Sequence, residues 1–212
     1  MTSTAAAREL ARYATLFYSR GWMPGTSGNL SLKIASRPLT LVITPSGVDK
    51  GALTPRDLLV VEATAKGARP LVPKRGLAPS GLRPSAETAI HVALYEAFPT
   101  TGAVFHVHTV HSTLVATRYI RQGAVQMRGL EMLKGFETLA PKAAPQIPVL
   151  PNIDDLAAFG QHVKRHAARL RQVPGFFIAN HGMTCWGRTG QAAEKHLELM
   201  DFLCHYLWEW QR

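Results

Sequence analysis

The chain has 212 residues, of which 46% are hydrophobic and 18% are charged, as in an ordinary globular domain, and its formal net charge is +10. No apolar run approaches the roughly 18–20 residues of a membrane-spanning helix, no signal peptide is indicated, and two cysteines (Cys185 and Cys204) make no disulfide framework, so we expect one cytoplasmic domain over residues 1–212. The basic residues are scattered over three segments, with no uninterrupted basic run and no interleaved aromatic platform of the kind that single-strand binders use, which favours a small anionic substrate over nucleic acid.

Hydrophobic periodicity and turn residues predict the elements of the first half of the chain. In order, they are a helix at 4–20, strands at 30–34 and 39–43, a short helical turn at 54–57, a strand at 58–62, a long loop at 66–84, a helix at 85–98 and a strand at 103–108. The hydroxyl of Ser85 is the expected N-cap of the second helix.

The second half of the chain is predicted in the same way. It comprises a helix at 112–119, a loop or short helix at 129–137, a strand at 146–150, a helix at 153–170, strands at 176–180 and 183–186, and a long helix at 191–210. Helices and strands mix without strict alternation, which indicates a layered α/β domain.

The strongest chemical signal is His-Val-His at the end of the strand predicted at 103–108. Residues two apart on a strand project to the same face, so His106 and His108 can place two imidazoles on one metal ion, although such a short motif is also common by chance. A catalytic zinc takes three protein ligands. The third candidate is His181, where an apolar strand stops at a histidine followed by glycine, and the alternative there is a hydrogen-bonded turn histidine.

The other histidines favour structural roles. His162 and His166 have the spacing of ligands on a helix, but they lie beside Lys164 and Arg165, which indicates a solvated face. Hydrogen-bonded positions at the edge of the core are expected for His91, His196 and His205.

Two glutamates are candidates for proton transfer. Glu87 lies at the start of a predicted helix, where the helix dipole alone would explain a carboxylate, and the functional alternative is a base beside the metal. Glu131 is flanked by the apolar residues Leu130 and Met132. We expect it to be buried, which would raise its pKa and suit it to proton transfer.

Three polar turns combine hydroxyls with glycine or helix-start amides, the groups that hold a phosphate. Their residues are Ser27, Gly28, Asn29, Ser46, Gly47 and Ser85, with Lys50 nearby as a cation. Each turn is unremarkable alone, but the three together make a phosphate pocket plausible.

Taken in chain order, these motifs resemble the class II aldolase and adducin-like family. The motifs are Thr-Ser-Gly-Asn at 26–29, Ile-Thr-Pro-Ser-Gly at 43–47, Pro-Ser-Ala-Glu at 84–87, His-Val-His at 106–108 and Asn-His-Gly at 180–182. The resemblance covers nearly the whole chain. It implies a three-layer α/β/α sandwich with a mostly antiparallel central sheet, assembled as a homotetramer with active sites near subunit boundaries.

The resemblance also implies an activity on a sugar phosphate. By it, His106, His108 and His181 bind one zinc ion per subunit, the residues of the three turns surround the substrate phosphate, and Glu87 is an acid/base. The segments at 46–50, 83–88 and 130–134 are most similar to the branch of the family that removes water, in which the position of Glu131 transfers the proton. Arg83 stands where that branch would have lysine.

Three alternatives stay open at this point. A sugar-phosphate aldolase and a pentulose-phosphate 4-epimerase would begin from the same metal-held carbonyl. A non-catalytic adducin-like interaction module would need neither a metal nor three converging imidazoles.

Overall fold

The computed structural model describes residues 1–64, 67–71, 81–137, 139 and 144–210. Its α-helices are α1 Ser3–Ser19, α2 Thr88–Ala97, α3 Val110–Tyr119, α4 Leu156–Arg165 and α5 Gly190–Trp210. Its strands are β1 Asn29–Ser36, β2 Leu39–Ile43, β3 Leu59–Thr64, β4 Gly67–Pro70, β5 Ala103–Val107, β6 Ala124–Gln126, β7 Gln146–Leu150, β8 Gly175–Ile178 and β9 Gly182–Gly187. Within this described part, no helix is long and apolar enough to cross a membrane.

The strands form one sheet in the order β4-β3-β2-β1-β5-β9-β8-β7-β6. Each neighbouring pair is antiparallel except β7 and β8, which are parallel. The expected mostly antiparallel sheet is therefore confirmed.

Apolar side chains cover both faces of the sheet. Alternation along β5 sends Phe105 into a core shared with α1, α3 and α5, whereas Val104 joins a second core with α2 and α4. On the first face, the Phe105 ring lies 4.9 Å from the ring of Tyr13 and 5.3 Å from that of Phe17. Helices on both faces of a sheet make the three-layer α/β/α sandwich that the motifs implied.

Strand register places the polar residues of three central strands in one row. Asn29 on β1 pairs with His106 on β5, and His106 pairs with Thr184 on β9. The turn after β2 lies at the same end of the sheet, because Pro45 forms an isolated bridge with Pro84, just before α2. Segments that are distant in sequence thereby meet at one end of the sheet.

Two helix boundaries differ from the prediction. The helix predicted from Ser85 begins at Thr88, and Glu87 is its N-cap residue, while the Ser85 hydroxyl accepts a bond from the Glu87 amide at 3.3 Å. The helix predicted at 153–170 is shorter and occupies 156–165. Asp155 starts it by accepting bonds from the amides of the first turn, a capping signal that periodicity does not detect.

Three other segments also differ. Gly67–Pro70 lies in the predicted long loop but forms the edge strand β4, where Arg69 makes a cross-strand ion pair with Glu62 at 2.6 Å. The part of that loop at 72–80 lies outside the described residues. Residues 54–57 form a turn, in which the Asp57 carboxylate accepts bonds from Thr54, instead of a helical turn. The strand β6 was not predicted, because three residues are too few for a periodic pattern.

Candidate metal centre and its surroundings

Three imidazoles and one carboxylate converge at the end of β5. One ligand atom from each of Glu87, His106, His108 and His181 lies within 4.8 Å of the others. The Nε2 atom of His106 is 2.8 Å from that of His108 and 3.4 Å from that of His181. The Glu87 carboxylate is 3.3 Å from Nε2 of His181 and 3.5 Å from Nε2 of His106.

The backbone explains why these side chains meet. His106 is on β5 and His108 follows it, held by a bond from its amide to the Trp22 carbonyl at 2.9 Å. His181 lies in the turn between β8 and β9, where Asn180 has a φ of 55° and an added Cβ at Gly182 would overlap the Val107 carbonyl oxygen. The Asn-His-Gly motif therefore supplies the left-handed residue and the close approach that this turn requires.

Hydrogen bonds from the far side of two rings orient them. Nδ1 of His181 lies 3.3 Å from the side-chain amide oxygen Oδ1 of Asn152, which can only accept, so Nδ1 carries the proton and the Nε2 lone pair faces the cluster. Nδ1 of His106 bonds to the buried Thr184 hydroxyl at 3.0 Å. Outer partners of this kind orient the histidines of metal sites, so the donor set fits a transition-metal ion such as zinc.

Burial keeps two imidazoles of the cluster, those of His106 and His108, neutral. It lowers the pKa of His106 to about 3, and the neighbouring His181 acts in the same direction. Burial also lowers the pKa of His108 to about 3, with His106 and His181 adding to the effect. Both rings are therefore unprotonated at neutral pH, which is the form that binds a metal.

The polar turns gather beside this cluster. The Lys50 side chain is buried, and its Nζ donates to the carbonyls of Thr26 and Val48, both at 2.8 Å, so it joins the first turn to the second. Burial lowers the pKa of the Lys50 ammonium, and Asp49 opposes this shift. Lys50 thus binds backbone in this chain, and its contact with a phosphate stays a prediction.

One hydroxyl of the first turn has no partner. Ser27 Oγ is buried, and no described residue hydrogen-bonds to it. Leaving a buried polar atom unpaired costs about 1–3 kcal/mol, so such an atom indicates a ligand or an ordered water. The neighbouring Gly28 has a φ of 72°, and a Cβ there would lie 2.9 Å from the His106 carbonyl oxygen. The turn therefore requires glycine at position 28 and is tightly fitted against β5.

Asn29 has both ends of its amide engaged. Its Nδ2 lies 2.5 Å from Oε2 of Glu87, and its Oδ1 lies 2.5 Å from Nε2 of His91. The side chain is thus bonded to protein groups, and its expected contact with a phosphate stays a prediction. This engagement could not be read from the motif.

Glu131 is not buried, contrary to expectation. Its side chain is 81% exposed and forms an ion pair with Lys134 at 2.6 Å. It starts the short 3-10 helix Glu131–Gly135, which buries Leu133 and leaves Met132 exposed. One tight turn cannot bury all its apolar residues, so apolar neighbours were a poor guide to its environment. The four-residue cluster contains no atom of Glu131.

Of the three histidines expected at the edge of the core, two are buried and hydrogen-bonded and one is not. His91 is buried and hydrogen-bonded, and Nδ1 of His196 bonds to the Trp186 carbonyl at 2.7 Å. His205 is instead 52% exposed beside Asp201. The rings of His162 on α4 and of His166, the C-cap residue of this helix, lie 4.2 Å apart. Both residues are half-buried instead of fully solvated, and neither belongs to the metal-compatible cluster.

Comparisons with known proteins agree with this architecture. A family model described as "Class II Aldolase and Adducin N-terminal domain" matches residues 8–208. The chain is similar to proteins named methylthioribulose-1-phosphate dehydratase. It is 36% identical to that of Geobacillus kaustophilus over 97% of this chain and 91% of the relative. It is 37% identical to that of Microcystis aeruginosa over 93% of this chain and 92% of the relative.

Solved structures show the same fold. A putative aldolase/epimerase/decarboxylase, YgbL from Klebsiella pneumoniae, superposes with a TM-score of 0.74 at 24% identity, covering 99% of this chain and 91% of that one. An L-fuculose 1-phosphate aldolase superposes with a TM-score of 0.74 at 20% identity, covering 97% of this chain and 86% of that one. At these identities the likeness concerns the fold alone.

The buried histidines predict how stability depends on pH. Burial lowers the pKa of His91, like those of His106 and His108, to about 3. Between about pH 6.5 and 3 the unfolded chain therefore binds more protons than the folded one, so the free energy of unfolding of metal-free protein falls as pH falls. Each group contributes at most about 1.4 kcal/mol per pH unit.

Urea unfolding in a chelator between pH 7 and 5.5 measures this slope. His91→Gln removes one of the three groups and should give a shallower slope than the wild type. Equal slopes for the two proteins would contradict the lowered pKa of His91.

Proposed function

Because the chain belongs to the class II aldolase and adducin family, we propose that it is a zinc-dependent dehydratase. Its substrate would be 5-methylthioribulose 1-phosphate, and its products 2,3-diketo-5-methylthiopentyl 1-phosphate and water, a step of methionine salvage. The observation that carries this proposal is the 33–37% identity to proteins named methylthioribulose-1-phosphate dehydratase. The converging ligand cluster supports it, because an interaction module has no need of such a site.

In this proposal, His106, His108 and His181 hold the zinc ion through their Nε2 atoms. When bound, the ion acts as a Lewis acid that polarises the substrate carbonyl and makes the proton on the adjacent carbon more acidic. The orienting bonds from Thr184 and Asn152 support this role, since they set the rings before the metal arrives.

The phosphate would lie against the three polar turns. The unpartnered hydroxyl of Ser27 supports this position, and the bridge between Pro45 and Pro84 brings Ser46 and Ser85 to the same place. Gly47 has a φ of 68°, and nothing lies within 4 Å of the position that a Cβ would take there, so this turn leaves space for a ligand. Lys50 would act by fixing the turns at 26 and 48 relative to each other.

Two carboxylates divide the proton transfers. Glu87 accepts a bond from the Asn29 amide and lies within 3.5 Å of two of the ligand imidazoles, so we assign it removal of the C3 proton. The hydroxyl on C4 then leaves as water with a proton from an acid, and the resulting enol ketonises to the diketone. We assign the acid to Glu131. Since Glu131 is exposed in one chain, it would reach the site of a neighbouring subunit.

The proposed enzyme is a cytoplasmic homotetramer. The free thiols of Cys185 and Cys204, both buried, suit a reducing compartment. Exposed aromatic side chains on α5, Phe202 and Trp210, support an interface between subunits. The positive charge of the chain suits an anionic sugar phosphate.

Metal content tests the ligand assignment. Purified protein should contain about one zinc per chain by elemental analysis, as expected for a three-histidine site. The double variant His106→Ala, His108→Ala should lose it. The matched control is His162→Ala, His166→Ala, which removes two histidines from α4 and should keep the metal. Full zinc retention in the His106→Ala, His108→Ala variant would contradict the assignment of these histidines as ligands.

Product analysis tests the reaction. The wild type should convert 5-methylthioribulose 1-phosphate to water and the diketone, and Glu87→Gln should slow turnover by roughly 10²–10⁴-fold, the range of a positioned acid or base. Zinc content is measured alongside, because Glu87 lies beside the ligands. Release of an aldehyde fragment would instead identify an aldolase, which breaks the C3–C4 bond.

Subunit mixing tests the role of Glu131. Glu131→Gln should lose roughly 10²–10⁴-fold in turnover while keeping its zinc. Lys134→Gln removes its ion-pair partner and is the control, with near-normal turnover expected. Co-assembly of Glu131→Gln chains with His106→Ala, His108→Ala chains should restore activity, because some sites then combine an intact metal centre with an intact Glu131. Normal turnover of Glu131→Gln would refute the assignment, and absence of recovery in mixed assemblies would refute the neighbouring-subunit placement.

A further inference from the structure

A series of hydrogen-bonded polar side chains leads from Glu87 into the protein interior. Asn29 links the Glu87 carboxylate to Nε2 of His91 through two bonds of 2.5 Å. Asn29 is 2% exposed and His91 is fully buried. Hydrogen bonds thus connect the Glu87 carboxylate to a buried side chain of α2.

The chain of bonds extends two residues further. Nδ1 of His91 lies 2.7 Å from Oγ of Ser31, and this oxygen lies 2.9 Å from the hydroxyl of Tyr95. The Tyr95 hydroxyl oxygen also lies 3.1 Å from the Ser31 carbonyl oxygen, so its single proton is shared between the two oxygens of Ser31. Two periodicities align these groups, since Asn29 and Ser31 are two apart on β1 and His91 and Tyr95 are four apart on α2.

The chemistry of the groups sets one direction for every bond. A carboxylate only accepts, so the Asn29 amide must turn its NH₂ toward Glu87 and its carbonyl toward His91. That carbonyl also only accepts, which places the imidazole proton on Nε2 and leaves Nδ1 as an acceptor. Ser31 therefore donates to Nδ1 of His91, and Tyr95 donates to Ser31.

Protonation states agree with this direction. Burial, with the nearby His106, lowers the pKa of His91 to about 3, so its ring is neutral. Burial raises the pKa of Tyr95, so its phenol keeps the proton that it donates. Each donor in this series of hydrogen bonds thus points toward Glu87. The last donor, the Asn29 amide, cannot pass a proton on.

We propose that His91 is a positioning residue for the reaction at Glu87: its Nε2–H fixes the Asn29 amide, which holds the Glu87 carboxylate in place as an acceptor. This inference rests on the proposed function for its effect on turnover. The chain of bonds orients Glu87 without conducting protons, so Glu87 exchanges its proton on the substrate side. A purely structural role would require only that position 91 be filled.

Two variants at position 91 separate positioning from packing. His91→Gln keeps a donor for Asn29 and an acceptor for Ser31, whereas His91→Leu fills the space with neither. We expect His91→Leu to lower kcat by about 10–100-fold with KM changed less than about 2-fold, and His91→Gln to recover most of the loss. Tyr95→Phe, at the far end, should have a smaller effect. Equal kcat for His91→Leu and wild type would overturn the proposal.

A measurement without substrate keeps the inference separate from the proposed function. Long-range ¹H–¹⁵N spectra of histidine-labelled protein, with the His91 signals assigned by their loss in His91→Gln, should show a neutral ring protonated at Nε2. A ring protonated at Nδ1, or at both nitrogens at pH 7, would overturn the positioning role even if the wild type dehydrates its substrate. If the wild type is inactive, or if His91→Leu fails to fold, this spectrum still tests whether Nε2 of His91 carries the proton that the positioning role requires.

Discussion

The structure depends on crowding three imidazoles against a carboxylate at the ends of the central strands. Four ligand atoms lie within 4.8 Å of one another beside buried strand ends, and burial lowers the pKa of His106 and His108 to about 3. These two rings therefore stay neutral, with their Nε2 atoms converging on Glu87 and His181. A cation is the partner that such an arrangement accommodates best, because it is attracted by all four groups at once.

The register of the central strands makes this crowding possible. Antiparallel pairing sets Asn29, His106 and Thr184 side by side on β1, β5 and β9. Thr184 orients His106 from one side, and Asn29 holds Glu87 from the other. A slip of one residue in either pairing would turn these side chains to the opposite face. The register of the sheet therefore determines which side chains meet at the site.

The fold places Glu87 and Glu131 in environments that their sequence neighbours do not indicate. Glu87 looks like an ordinary helix-start carboxylate in sequence, yet the fold sets it within 3.5 Å of two imidazoles. Glu131 has apolar neighbours that favour burial, yet a 3-10 turn exposes it. Local surroundings in the chain describe only the nearest few residues, whereas the environment of a carboxylate is set by segments that are distant in sequence.

The sequence by itself determined the order of the elements other than the short strands β4 and β6, and the motifs that meet at the site, because hydrophobic spacing and turn chemistry are short-range properties. The strands at 39–43 and 146–150 coincide with their predicted ranges. Only the tertiary structure decided which groups touch. Asn29 meets Glu87 and His91 across 58 and 62 residues of chain, and Lys50 binds the Thr26 carbonyl instead of facing solvent. Such contacts depend on strand pairing and helix packing, which no local pattern encodes.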